Sequence, residues 1–186
     1  MSHPRFRQIA LTGAKEKSVE ADSTDKFLWD VHKYTNDYIR FADTKAAFVA
    51  AASTALIGAL VGSSALDSCF RAMPATWLQW VAIAGLLLLA VSLILSALAI
   101  RPRLWNHTSV GYIFWESIKG HKTARAFSQA ISELSASGRT AATSDHLFVL
   151  ASVATRKYGY VKWAIHAGIA GGLLAGIVLF ARHALK

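Results

Sequence analysis

The sequence has little of what soluble enzymes and secreted domains depend on. It contains a single cysteine, Cys69, among 186 residues, and only 17% of the residues are charged. One cysteine excludes an intrachain disulfide framework and a thiolate metal cluster. Because soluble domains average about 25% charged residues, the shortage of charge argues against a soluble globular protein.

Recognisable catalytic and metal-binding patterns are also missing. The sequence has no nucleophile elbow, phosphate loop or GxGxxG motif, so we expect no catalytic residues, no enzyme activity and no cofactor. The seven histidines form no HxxxH or HxxEH pair, which argues against a metal site. No charged residue lies deep inside an apolar run, and this argues against a proton or ion relay.

Three long apolar runs are present instead, at residues 46–66, 77–100 and 163–181, and the predicted third transmembrane helix covers 163–182. Each is long enough for a helix to cross a hydrocarbon core of about 30 Å. The sequence therefore predicts an all-α integral membrane protein with three transmembrane helices. Its net charge of +9 would suggest DNA or RNA in a soluble protein, but in a membrane protein it marks the cytoplasmic side, and we expect no nucleic acid partner.

The basic residues indicate how the spans are oriented. Eight Lys or Arg residues precede residue 46 and nine lie in 101–162, whereas the turn 67–76 holds only Arg71 and the tail only Arg182 and Lys186. The positive-inside rule predicts a cytoplasmic N-terminus and middle segment, and a C-terminus outside.

The predicted cytoplasmic part is helical. Before the first span, large apolar residues recur at helical spacing: Phe27, Leu28, Val31, Tyr34, Tyr38 and Phe41. We predict a flexible tail over 1–22, a helix over 23–45 that continues into the first span, and Asp22 or Ser23 as its N-cap. The insert 101–162 supplies further helices, with a connection at 135–144 and a last helix, 145–162, that runs into the third span. Extensions of the first and third spans would form a small helical bundle.

Small residues repeat at four-residue spacing in two spans. The rows comprise Ala47, Ala51 and Ala55 with Gly58 and Gly62 in the first span, and Gly168, Gly172 and Gly176 in the third. Such faces let helix backbones approach closely in lipid. They indicate a close helix pair within the chain, a homo-oligomer, or both.

Charged and aromatic residues gather at the membrane boundary of the same two helices. Arg40, Asp43 and Lys45 precede the first span, and Arg156, Lys157 and Tyr158 precede the third. They are compatible with solvated interfacial charge that attracts anionic headgroups. They are also compatible with a site for a phosphate-bearing base, which needs charge for the phosphate and a ring for stacking. The residues alone leave both interpretations open.

The layout resembles a known family. A helix with residues 38–47 reading YIRFADTKAA, a small-residue span, a hairpin, a helical insert and Arg156-Lys157-Tyr158 before the last span are similar to the transmembrane effectors of bacterial Pycsar anti-phage defence, the PycTM family. Asp43, Lys45, Lys157 and Tyr158 are matching positions of the resemblance, with no ligand contact assigned to them.

The resemblance implies an effector in the bacterial inner membrane that senses cyclic CMP or cyclic UMP. The nucleotide would be made by a partner pyrimidine nucleotide cyclase, and membrane disruption and abortive infection would follow. Two other functions remain open: a constitutive membrane scaffold, and a holin-like pore without a nucleotide trigger.

Overall fold

The computed structural model describes residues 4–62, 77–101 and 112–184, with side chains except those of 4–22, 115–116 and 182. Five helices lie in these ranges: α1 Pro4–Gly62, α2 Trp77–Ile100, α3 Trp115–Lys119, α4 Ala124–Ser132 and α5 Ala136–Ala184. All regular elements in the described part of the chain are helices, and α1, α2 and α5 each include a segment apolar and long enough to cross a membrane. The prediction of an all-α membrane protein is confirmed.

Two compact units divide the chain. The membrane unit comprises residues 38–103 and 153–186, and the insert unit comprises residues 1–37 and 104–152. Because α1 and α5 are unbroken helices, each begins in the insert unit and ends in the membrane unit.

Both long helices begin earlier than the sequence suggested. α1 begins at Pro4, not at residue 23, since proline is well suited to the first helical turn and no later proline interrupts the helix. α5 begins at Ala136, so the predicted connection 135–144 is helical from there. Ser135 caps this helix, because its side-chain oxygen accepts a hydrogen bond from the Gly138 amide at 3.1 Å and satisfies a donor that has no partner within the helix.

Small residues form the packing face of the membrane unit. The buried side of α2 carries, at intervals of three and four residues, Gln79, Ala82, Gly85, Leu89, Ser92, Ser96 and Ala99. Its exposed side carries large apolar residues such as Leu87 and Ile94. This arrangement inverts that of a soluble helix, because lipid solvates large apolar side chains as well as protein does and close backbone packing then drives association.

Two buried clusters join the three apolar segments. One comprises Leu60 of α1, Ala82 and Leu89 of α2, and Ala175 and Val178 of α5. The other comprises Ala42, Ala46, Ala99 and Val161. Since the end of α2 meets the beginning of the apolar segments of α1 and α5, α2 runs antiparallel to both.

The packed face of the α1 extension agrees with only part of the predicted apolar face, which comprised Phe27, Leu28, Val31, Tyr34, Tyr38 and Phe41. Phe27, Tyr34, Tyr38 and Phe41 are exposed, whereas Leu28, Val31, Thr35, Ile39 and Ala42 are half-buried or buried. Of the predicted face, the two aliphatic residues are therefore on the packed side and the four aromatic residues are exposed.

Part of the sequence interpretation falls outside the described residues. This applies to 63–66 at the end of the predicted first span, to the turn 67–76 with Cys69, and to 102–111 at the start of the insert.

Candidate ligand site at the membrane boundary

An ion pair joins α1 and α5 in the membrane unit. Lys157 Nζ donates to Asp43 Oδ1. The Lys157 side chain is 12% exposed and that of Asp43 is 35% exposed, so the pair lies at the edge of the packed interface. Two residues that are 114 positions apart in the sequence are thus brought together, as the interpretation of a shared site requires.

Tyr158 makes a second link between the same helices. Its hydroxyl donates to the Tyr38 carbonyl at 3.3 Å, and the two rings lie 6.1 Å apart at an angle of 48°. Tyr158 also packs against the buried cluster of Ala42, Ala46, Ala99 and Val161. The aromatic ring next to the ion pair is therefore fixed in place by packing.

The remaining charged residues of the predicted site lie around this core. Arg40 and Arg156 are exposed. Lys45 is also exposed, and its ammonium lies 4.3 Å from the centroid of the Phe41 ring. Lys45 lines a groove with Thr44 and Phe48, on a different side of α1 from Asp43. The structure brings Asp43, Lys157 and Tyr158 together, and it does not bring Lys45 to them.

The arrangement of this site allows an external anion to compete with the Asp43 carboxylate for Lys157. An ammonium group has three donors, and a phosphate oxygen forms charge-assisted hydrogen bonds of the same type as the Asp43 carboxylate. A phosphate that reached Lys157 would therefore compete with Asp43 for the same cation.

The predicted helix-packing residues fall into two groups. Gly168 and Gly172 face other helices, because a Cβ at Gly168 would lie 2.9 Å from Ser92 Oγ and a Cβ at Gly172 would lie 3.2 Å from Leu56 Cδ1. The other six lie on exposed faces of the single chain: Ala47, Ala51, Ala55, Gly58, Gly62 and Gly176.

Sequence reasoning missed a close backbone contact between α2 and α5. A Cβ at Gly171 would lie 3.0 Å from the Leu89 backbone nitrogen and 3.1 Å from the Gly85 carbonyl oxygen. Only glycine therefore lets α2 and α5 approach this closely. The small residues that recur among the leucines of α2 could have indicated this packing face.

A chain of hydroxyl groups was also missed. Ser53 Oγ donates to Ser92 Oγ at 3.0 Å, and Ser92 Oγ donates to the Ala164 carbonyl at 2.8 Å. One residue from each of α1, α2 and α5 takes part, so these hydrogen bonds connect all three apolar segments.

The insert unit contains a stack of rings that no sequence spacing indicated. The His32 ring lies 5.0 Å from the Trp29 ring and nearly parallel to it, and it also lies 5.2 Å from the His146 ring. Phe114 lies 6.4 Å from His146. Burial lowers the pKa of His146 below its ordinary value of 6.5, and the neighbouring His32 lowers this pKa further. Among the described residues, no group of three or more His, Cys, Asp or Glu side chains is placed to hold a metal ion.

Comparison with known proteins gives one match. The family described as the Pycsar effector protein domain, PycTM, matches residues 27–182. No curated protein matches the chain, and no solved structure matches it.

Proposed function

The chain belongs to the Pycsar effector protein domain family, and from this premise we propose that it senses cyclic CMP or cyclic UMP and then impairs the membrane. Membership of the family points to an effector of anti-phage defence, and the helices make it a multi-pass membrane protein. In our proposal it lies in the bacterial inner membrane, with its N-terminus in the cytoplasm and its C-terminus outside. A pyrimidine nucleotide cyclase supplies the signal, and abortive infection follows.

The observation that supports this proposal best is the Asp43–Lys157 pair between two unbroken helices. The nucleotide phosphate would take Lys157 from Asp43, with Arg40 and Arg156 as further cations near the boundary. Tyr158 offers a ring against which a pyrimidine base stacks. Because α1 and α5 continue as apolar segments, a change in how they are held at the boundary reaches the membrane directly.

A ligand shifts a conformational equilibrium only by its differential affinity for the two states. Moving a population from 1:99 to 99:1 requires about 5.5 kcal/mol of such difference. Replacing one carboxylate by a phosphate at Lys157 supplies part of this amount. We therefore expect several chains to act together, which the exposed small residues of α1 favour: Ala47, Ala51, Ala55, Gly58 and Gly62.

The proposed activity is a change of packing, and it includes no bond-breaking step. The protein acts as a non-enzymatic effector, and the lipid bilayer is what it acts on.

Dye release from liposomes tests this proposal. Full-length protein is reconstituted in liposomes with an entrapped dye, and cyclic CMP, cyclic UMP or cyclic AMP is added. We expect release with one of the two pyrimidine nucleotides and none with cyclic AMP. Lys157→Met should abolish the response, whereas Lys162→Met, at an exposed lysine five positions later, should retain it.

The other two functions predict different results. A scaffold would release no dye under any condition, and a holin-like pore would release dye without nucleotide. Either result would overturn nucleotide sensing by this protein.

A further inference from the structure

A groove of 790 Å³ runs along the outer surface of the membrane unit between α1 and α5. Its lining residues lie between Thr44 and Leu56 on α1 and between Ile165 and Leu173 on α5. It is thus built from segments that are apolar enough to lie in a membrane.

Two glycines and several large apolar side chains line the groove. Gly168 and Gly172 contribute no side chains, whereas Phe48, Ile169 and Leu173 form its walls and are exposed. Ser53 is the hydroxyl in the apolar part of the lining, and it already donates to Ser92. The interior therefore suits a hydrocarbon and offers no polar group that a soluble ligand would need.

The length of the groove matches one leaflet of a bilayer. Thr44 and Leu56, the first and last lining residues of α1, are separated by about 18 Å along the axis at 1.5 Å per residue. Half of a hydrocarbon core is about 15 Å. A single acyl chain would therefore lie in the groove over most of its length.

A positive charge stands at one end of the groove. The Lys45 ammonium lies over the Phe41 ring, and no salt bridge to Lys45 occurs among the described side chains. The Thr44 hydroxyl donates to the Arg40 carbonyl, so Lys45 is the donor that remains for a ligand. Because Lys45 directly precedes the apolar run 46–66, we expect its charge at the depth of the phospholipid phosphates, where basic residues attract anionic headgroups.

Charge also decides between a lipid and a second copy of the chain. A second copy in the same orientation would bring its own Lys45 and Arg40 to the same depth, and like charges would face each other. We propose that this groove is a binding site for one anionic phospholipid, with an acyl chain along Gly168 and Gly172 and the phosphate on Lys45. This inference is independent of the nucleotide response.

Native mass spectrometry of the detergent-solubilised full chain tests the site. The protein is titrated with phosphatidylglycerol and with phosphatidylcholine that carry the same acyl chains. We expect one phosphatidylglycerol to bind more tightly than phosphatidylcholine. Lys45→Met should weaken phosphatidylglycerol binding about fivefold, the effect of one basic residue near an anionic surface. Lys162→Met, also at an exposed lysine near the start of a span, should leave it unchanged.

A second pair of variants tests the groove itself. Ala52→Phe fills the groove from an exposed lining position, whereas Ala170→Phe adds the same ring at an exposed position outside the lining. Only Ala52→Phe should remove the tightly bound lipid. Retention of the lipid in Ala52→Phe, or equal losses in Lys45→Met and Lys162→Met, would overturn the proposal. A dimer that Ala52→Phe abolishes would instead identify a second copy as the occupant.

Discussion

Lys157 of α5 is paired with Asp43 of α1, and the lysine is the more deeply buried of the two side chains. The pair is therefore asymmetric: removal of the carboxylate leaves a mostly buried cation unpaired, whereas a soluble anion can approach from the more open aspartate side. The same contact thus serves stability and presents a place where a ligand can compete.

Asp43→Asn should lower the stability of the membrane unit by about 1–3 kcal/mol, because it removes the counter-charge of the mostly buried Lys157 ammonium and leaves it only a neutral amide oxygen as acceptor. Thermal unfolding in detergent measures this change. Asp37→Asn, at an exposed position on the same helix, is the matched control. The double variant Asp43→Lys with Lys157→Asp restores an ion pair, so it should recover part of the lost stability. A loss in Asp43→Asn no larger than that in Asp37→Asn would contradict the prediction.

Gly171→Ala should destabilise the membrane unit by about 1–3 kcal/mol, as overpacking in a tight core does. The added methyl group would meet the Leu89 and Gly85 backbones, which cannot move aside as the end of a side chain can. Gly176→Ala should instead be neutral or stabilising by about 0.5–1 kcal/mol, because nothing lies within 4 Å of that position. Equal effects of the two substitutions would refute the close approach of α2 and α5.

Ser92→Ala should lower stability by about 0.6–1.7 kcal/mol, the average and the largest values for interhelical hydrogen bonds within a membrane protein. It removes the donor to Ala164 and the acceptor for Ser53. Ser96→Ala is the control one turn away, since the buried Ser96 hydroxyl has no hydrogen-bond partner. We expect that control to be neutral or stabilising, and a larger loss in it than in Ser92→Ala would exclude the proposed role of the hydroxyl chain.

The insert unit should lose stability as the pH falls below about 6.5. The pKa of His146 is lower in the folded chain than in the unfolded chain, so the unfolded chain binds the proton more readily and acid favours unfolding. This loss continues until the pH reaches the folded pKa. Hydrogen exchange of the insert-unit amides, followed from pH 7.5 to pH 5, measures it.

His146→Phe keeps a ring beside His32 but cannot be protonated, so it should flatten this dependence. His183→Gln, at an exposed histidine near the end of α5, should leave it intact. An unchanged slope in His146→Phe would assign the acid sensitivity to other groups.

The membrane spans were predictable because lipid imposes a simple requirement on length and polarity. α2 has the same bounds as its predicted span, 77–100. The start of α5 was not predictable in the same way, since Ser135, Ser137 and Gly138 have the composition of a loop. A single side-chain cap at Ser135 makes the same residues the first turn of a helix.

The sequence allowed us to predict which residues lie near the candidate site, but only partly which of them contact one another. Asp43 and Lys157 each lie next to an apolar run, and this placed them at similar depths. Whether a residue faces the partner helix depends on a rotation of about 100° per residue, and this separates Lys45 from Asp43. The His32–His146 stack joins positions far apart in sequence, and no local pattern indicates such a contact.

The glycines of α2 and α5 also determine which helix has freedom to slide. Gly85 and Gly171 hold those two backbones in direct contact, whereas α1 meets α5 near Gly168 and Gly172 through the side chains of Ser53 and Leu56. Side chains can change rotamer when two helices slide slightly past each other, whereas two backbones in direct contact have no such freedom. We therefore expect α2 and α5 to keep their relative position, and α1 to be the helix that shifts along them.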